Sequence, residues 1–148
     1  VLEVTADKRL TGKGHLPYPE NTLILACFVT GRPVGQGSMR SLGKGRMTHD
    51  NAHLRHWRQA IGWAARAGCP GGEPTPVDVR VTLHFAVRPR RQGDAPDLDK
   101  LARAVLDALS AIAYRDDKQV AVLHAQRALL PPNAAEDAEG VRIVVEVV

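Results

Sequence analysis

Asp97 and Asp99, separated by Leu98, are followed by a second acidic pair, Asp116-Asp117, whose second member lies eighteen residues after Asp99. Carboxylates that converge in an otherwise basic chain suit a hard divalent cation, because Mg²⁺ takes oxygen ligands and is held by one or two carboxylates plus substrate phosphates. Phosphodiester hydrolysis needs an activated water and relief of charge at the scissile phosphate, and carboxylate-held ions beside a phosphate-binding cation supply both. Asp97, Asp99 and Asp117 are the candidate ligands, with Asp116 as the alternative to Asp117. Arg103 either anchors a phosphate or pairs with Asp99 and Asp107 across single helical turns. Each motif also has a plain reading, since an Asp at a helix start is a cap and an Asp pair before a strand is turn chemistry. Their joint presence, with Arg88, Arg90 and Arg91 in the preceding turn, favours metal-assisted phosphodiester chemistry.

The elements that must carry these residues follow from periodicity. Residues 1–21 bear Lys8, Arg9, Lys13 and His15 without periodicity and read as a basic arm ahead of a single domain, 22–148. Residues 22–30, TLILACFVT, form a short apolar run ended by Gly31-Arg32-Pro33, which predicts a buried strand. Next comes a glycine-rich segment with Arg32, Arg40, Lys44 and Arg46, whose SMR and RMT pieces suggest a basic hairpin turning across Leu42 to Gly45. Asp50 or Asn51 can cap a helix to about Ala67, with Leu54, Trp57, Ile61 and Ala64 or Ala65 on one stripe and Gly68 as its stop. VDVRVTLHFAV alternates at period two, predicting a half-buried strand with Val77, Val79, Val81, Leu83, Phe85 and Val87 inward.

Asp97 is the expected cap of a second helix from Leu98 to about Ala113, with Leu98, Leu101, Val105, Ala108 or Leu109 and Ile112 on its apolar stripe. Asp99, Arg103 and Asp107 follow one another on the opposite face. That helix would be about 24 Å long at 1.5 Å per residue, which separates the two acidic motifs. They meet only if the strand after Asp117 runs back antiparallel along the helix or if a symmetry-related copy brings up its acidic turn. QVAVLHAQRALL and VRIVVEVV supply two closing strands, close enough for an antiparallel return. The order β-hairpin-α-β-α-β-β predicts a two-layer α+β domain, a mixed or antiparallel sheet with two helices on one face.

Composition narrows the function classes. A chain of 148 residues has room for one hydrophobic core. Its net charge is +4, and fifteen of its twenty cations are Arg, which favours bidentate phosphate contacts and an anionic polymer as partner. Six aromatic residues leave few platforms for unpaired bases and argue against single-strand binding by stacking. Cys27 and Cys69 make a disulfide framework improbable and suit a reducing cytoplasm. No window is apolar enough for a membrane span, and the glycine-rich segment lacks both phosphate-loop and dinucleotide fingerprints, so neither a membrane nor a nucleotide cofactor is expected. Cys27, Cys69, His53 and His56 lack the spacing of a zinc site, and no nucleophile elbow is present.

The stretch PDLDKLARAVLDALSAIAYRDDKQV, residues 96–120, resembles the RusA-type Holliday junction resolvases, in which an Asp-x-Asp-Asn start, a helix ending in Asp-Ala-Leu and an Asp-Asp pair precede a strand. Residues 23–90 follow the family's order more loosely: an early strand, the Gly-Pro-basic segment GRPVGQGSMR, a helix with Trp57, then a strand. The resemblance implies a homodimeric, Mg²⁺-dependent endonuclease (Mn²⁺ as the alternative) that nicks four-way DNA junctions in pairs. It implies Asp97, Asp99 and Asp117 as metal-binding acids. Arg103 stands where the family has Lys, which keeps the charge but not a proton-transfer role, and Lys100 stands where the family has Asn. Arg32, Arg40, Lys44, Arg46, Arg88, Arg90, Arg91 and Lys100 are the expected DNA contacts. The residues alone also allow a non-catalytic junction or duplex binder, or a nuclease for another branched nucleic acid, and they leave open which subunit's acids converge.

Overall fold

A computed structural model of the chain describes residues 19–37, 52–69, 72–89 and 95–148. Four strands and two helices appear in the order β1 (Leu23–Thr30), α1 (Ala52–Gly68), β2 (Val79–Val87), α2 (Leu98–Leu109), β3 (Val120–Leu129) and β4 (Gly140–Val147), with 3₁₀ turns at Asp117–Gln119 and Glu136–Ala138. This is the expected α+β class. The proposed hairpin, the Asp50/Asn51 cap and the basic arm's residues 1–18 lie outside the described residues.

Strand β2 is the organising element because its alternation is strict: Val79, Val81, Leu83, Phe85 and Val87 are all buried on one face. Each fully buried side chain of this kind contributes about 1.5–3 kcal/mol. Val141, Ile143, Val145 and Val147 of β4 extend that face. Leu54, Trp57, Ile61 and Ala65 of α1 and Leu101, Val105, Ala108 and Leu109 of α2 cover it, as their helical spacing predicts.

The sheet order is β1-β4-β2-β3. An antiparallel return from β3 to β4 is therefore wrong: β3 pairs parallel with β2, and β4 inserts between β1 and β2, antiparallel to both. The loop joining β3 to β4 crosses the end of β2, and Arg88 holds it there. Its guanidinium donates to the carbonyls of Pro132, Ala134 and Ala135, and its backbone N–H donates to Glu139 at 2.8 Å. Strand β1 is a sheet edge rather than a buried strand; only Leu25 and Val29 are buried, while Phe28 lies beneath the Arg142 guanidinium at 5.7 Å.

Helix α2 is shorter than its apolar stripe predicts, ending at Leu109 instead of Ala113. Ala111 takes a left-handed φ of 69°, and its N–H donates to the Tyr114 carbonyl at 2.7 Å, so the chain doubles back. That turn delivers Tyr114, fully buried, beneath the helix it has just left. Its hydroxyl donates to the Leu106 carbonyl at 2.7 Å, satisfying one of the last carbonyls of α2.

Candidate metal centre and nucleic-acid interface

Asp97 occupies the N-cap position of α2 but its side chain makes no capping bond, contrary to the sequence expectation. Its carboxylate instead faces Lys100 Nζ at 3.3 Å. Asp99 lies in the first turn of α2 and is exposed, as is Arg103 one turn further on. The backbone ahead of α2 is pinned to the far end of β3, where the Arg127 guanidinium donates to the Pro96 carbonyl.

The second acidic motif is built as a capped turn. The Asp116 carboxylate accepts the Lys118 N–H at 2.9 Å, and the Gln119 side-chain oxygen accepts the N–H groups of Arg115 and Asp116. The Gln119 amide donates in turn to the carbonyls of Thr75 and Val77, both at 2.8 Å, which fastens the turn to the start of β2. The turn reading of the pair holds for Asp116, and Asp117 follows it as the first residue of the 3₁₀ turn. The Lys118 N–H holds the Asp116 carboxyl below the usual range. The hydrogen bond shared with Asp116 raises Asp117, and the charges of Asp116 and Asp107 add to it.

Gln36, to which the sequence assigned no role, and Asp107, read there only as a pairing partner of Arg103, meet on the surface of α2. Gln36 donates its backbone N–H to the Lys100 carbonyl at 2.9 Å and its side-chain amide to Asp107 Oδ2. Gly35 lets this segment cross α2 closely, since a Cβ there would sit 3.0 Å from Lys100 Cβ. The spacing of Asp99, Arg103 and Asp107 was the available signal for Asp107; nothing local marked Gln36.

One chain does not gather the three candidate ligands. Asp99 and Asp107 are about 12 Å apart along α2 at 1.5 Å per residue, and Asp117 lies beyond Asp107, whose charge it feels. Along β3 the interval from Val120 to Arg127 is about 23 Å at 3.3 Å per residue, with the acidic turn at one end and the Pro96 anchor at the other. No group of three His, Cys, Asp or Glu able to hold a metal occurs among the described residues. Strand β3, parallel to β2, does run back antiparallel along α2, but this leaves the two acidic motifs at opposite ends of the helix.

The expected DNA contacts divide. Arg32 is exposed beside β1, Lys100 is paired with Asp97, and Arg88 is engaged by the crossing loop. Arg40, Lys44, Arg46, Arg90 and Arg91 lie outside the described residues. Cys27 and Cys69 are close neighbours whose thiols burial pushes up, while His53 and His56 sit in the first turns of α1, at the end away from Cys69.

Residues 30–147 match the family Endodeoxyribonuclease RusA. The chain belongs to the RusA family. RusA proteins are endonucleases that act on branched DNA and resolve Holliday junctions, and both acidic motifs fall within the matched residues. No curated protein matches the chain. No helix among the described residues is long and apolar enough to cross a membrane.

Proposed function

We propose that two copies of this chain resolve four-way DNA junctions by divalent-metal-dependent hydrolysis, each active centre combining Asp97 and Asp99 of one copy with Asp117 of the other. The observation that carries this reading is the separation of the two acidic motifs by the length of α2. Three carboxylates cannot share one ion across that distance, but a twofold partner laid antiparallel supplies the missing end. Asp116 Oδ1 accepts the Lys118 N–H of its cap, which favours Asp117 as the ligand.

Strand β3 is the element that such a partner would meet. It has ten residues, its outer edge is unpaired among the described strands, and Arg127 is its one Lys, Arg, Asp or Glu. Long edges of this kind are covered or blunted by charge in proteins that stay single. Leu123 and Leu129 remain 43% and 49% exposed on it, and Leu98 and Leu106 on α2 are incompletely buried. Antiparallel pairing of β3 with its own copy is self-complementary about a twofold axis. It sets the start of one β3, which follows Asp117, against the end of the other, where Arg127 holds the segment leading to Asp97.

A divalent ion bound there, Mg²⁺ or Mn²⁺, supplies relief of the charge that builds on the scissile phosphate. The remaining work falls to the chain. Arg103, one turn from Asp99 on the same face, presents a fixed positive fork to the phosphate. Lys100 neutralises Asp97 before DNA arrives, and Arg32 with the segments around Arg40 to Arg46 and Arg90-Arg91 holds backbone phosphates, giving salt-dependent affinity without base readout. Two centres related by a twofold axis cut two strands of like polarity, which is what resolution requires.

The test is an end-labelled immobile junction beside its linear duplex, with Mg²⁺ or EDTA, comparing wild type and Asp99→Asn. Symmetric nicks on the junction alone, with metal and wild type alone, are expected, with the variant still binding. Nicking by Asp99→Asn at the wild-type rate would refute the assignment. Binding without any nicking would favour a DNA-binding module, and cleavage of flaps in preference to junctions would refute the proposed substrate.

A further inference from the structure

Trp63 and Trp57 lie six residues apart on α1, yet Trp57 is 4% exposed and Trp63 is 71% exposed. Trp63 stands in a cleft of about 490 Å³ between α1 and the end of α2 with its following turn. Arg55, Arg58 and Arg66 line the α1 wall with Gln59, and Asp107 closes the opposite wall. Arg58 and Arg66 form no ion pair or hydrogen bond among the described residues. Among the described residues lining the cleft, the one carboxylate facing them, Asp107, already accepts the Gln36 amide.

A row of cations around a bare indole is complementary to one ligand chemistry: phosphates flanking a base with a free π-face. From Arg55 to Arg66 the wall is about 16 Å long at 1.5 Å per residue, which spans about five phosphates of one strand at their spacing along duplex DNA. The wall opposite ends on Asp107, beside Asp117, so a strand lying in the cleft is led to the acidic turn. A scarcity of aromatic residues rules against a channel lined for stacking, but not against a single platform.

We propose that this cleft receives one strand of the junction at the point where the arms exchange, with an unstacked base on the Trp63 ring and flanking phosphates on Arg58 and Arg66. The inference rests on the endonuclease reading above and deepens it by naming how the branch point is told from duplex. Bases at an exchange point are the cheapest to unstack, so the platform discriminates for branched DNA where phosphate contacts do not.

The experiment titrates wild type, Trp63→Phe, Trp63→Ala and Arg58→Ala/Arg66→Ala with a four-way junction and with its duplex, in EDTA to prevent nicking. Only two tryptophans contribute emission, and the exposed one is expected to be quenched by the junction and not by the duplex. Trp63→Phe, reporting buried Trp57 alone, shows no change. Trp63→Ala binds the junction about tenfold more weakly with duplex affinity unchanged, and the double arginine variant lowers the slope of log K against log salt by about two. Equal quenching by duplex and junction, or wild-type junction affinity in Trp63→Ala, would overturn the inference. So would loss of the dimer in Trp63→Ala by sedimentation, since the ring would then be a subunit contact. The ring is exposed, so thermal melting of these variants should match wild type. If wild type nicks junctions while Trp63→Ala binds them unchanged, this inference alone fails; if wild type binds no junction, the endonuclease reading fails with it.

Discussion

Replacing Tyr114 by Phe removes one oxygen, and its consequence can be worked out as a function of pH. The hydroxyl is fully buried and donates to the Leu106 carbonyl at 2.7 Å, with Ser110 Oγ a weaker second donor at 3.4 Å. Losing that bond costs about 1 kcal/mol at neutral pH. Burial holds the Tyr114 phenol protonated well above its ordinary value of 10.0, with the Asp117 and Asp107 charges acting in the same direction. The folded state therefore keeps a proton that the unfolded chain releases above that value. For a group raised in this way the stability contribution is complete below the unfolded value and is lost as pH climbs towards the folded one. Wild type should lose about 1.4 kcal/mol per pH unit above its unfolded value relative to the variant. The two stability curves then cross between about pH 10 and 11. Urea unfolding of both proteins at neutral pH and at several alkaline values measures this difference, in which the common titrations of Cys and Lys cancel. A gap that stays constant with pH would refute the burial argument, and no gap at neutral pH would refute the hydrogen bond.

Gly140→Ala should be among the more damaging single substitutions, because its Cβ would lie 2.1 Å from the Val29 carbonyl oxygen and 2.9 Å from the Phe28 ring. A loss of about 3 kcal/mol is expected, and an unchanged melting temperature would contradict the close approach of β1 and β4. Leu123→Glu tests the edge of β3. Burying the remaining exposure of Leu123 at a twofold interface contributes about 1 kcal/mol per copy, so loss from both copies weakens dimerisation about thirtyfold. Sedimentation should detect monomer, and junction nicking should return at high protein concentration; a dimer as tight as wild type would place the interface elsewhere.

Much of the fold was legible because its signals are local. The period-two run and the stripes of both helices specify one buried face, and the structure buries Val79 to Val87 at alternate positions and most of both stripes, leaving Val77, Leu98 and Ile112 partly exposed. Strand order was not legible. The placement of β4 between β1 and β2 depends on a loop held by Arg88, whose contacts lie some 44 to 51 residues away in the chain, and in sequence it reads as one more cation in a basic turn. The end of α2 was missed for a related reason: the reversal uses Ala111 at positive φ, where a glycine or asparagine would have announced it. At the candidate site the acidic motifs were visible from spacing, as was the problem of their separation. The structure sharpens that problem, since β3 returns along α2 and still leaves Asp117 at the wrong end. Gln36 and Trp63 gain their interest only from what the fold sets beside them, whereas Asp107 was marked by its spacing from Asp99 and Arg103.

The composite centre is tested most directly by subunit complementation. Asp99→Asn and Asp117→Asn homodimers should each fail to nick a junction. After mixing and subunit exchange, each heterodimer holds one centre with both defects and one with none, built from Asp99 of one copy and Asp117 of the other. Activity should therefore reappear as single, unpaired nicks at about a quarter of the wild-type density of centres. If exchange is demonstrated and the mixture stays inactive, the acids of each centre come from one chain, and the account of a site shared between two subunits is wrong.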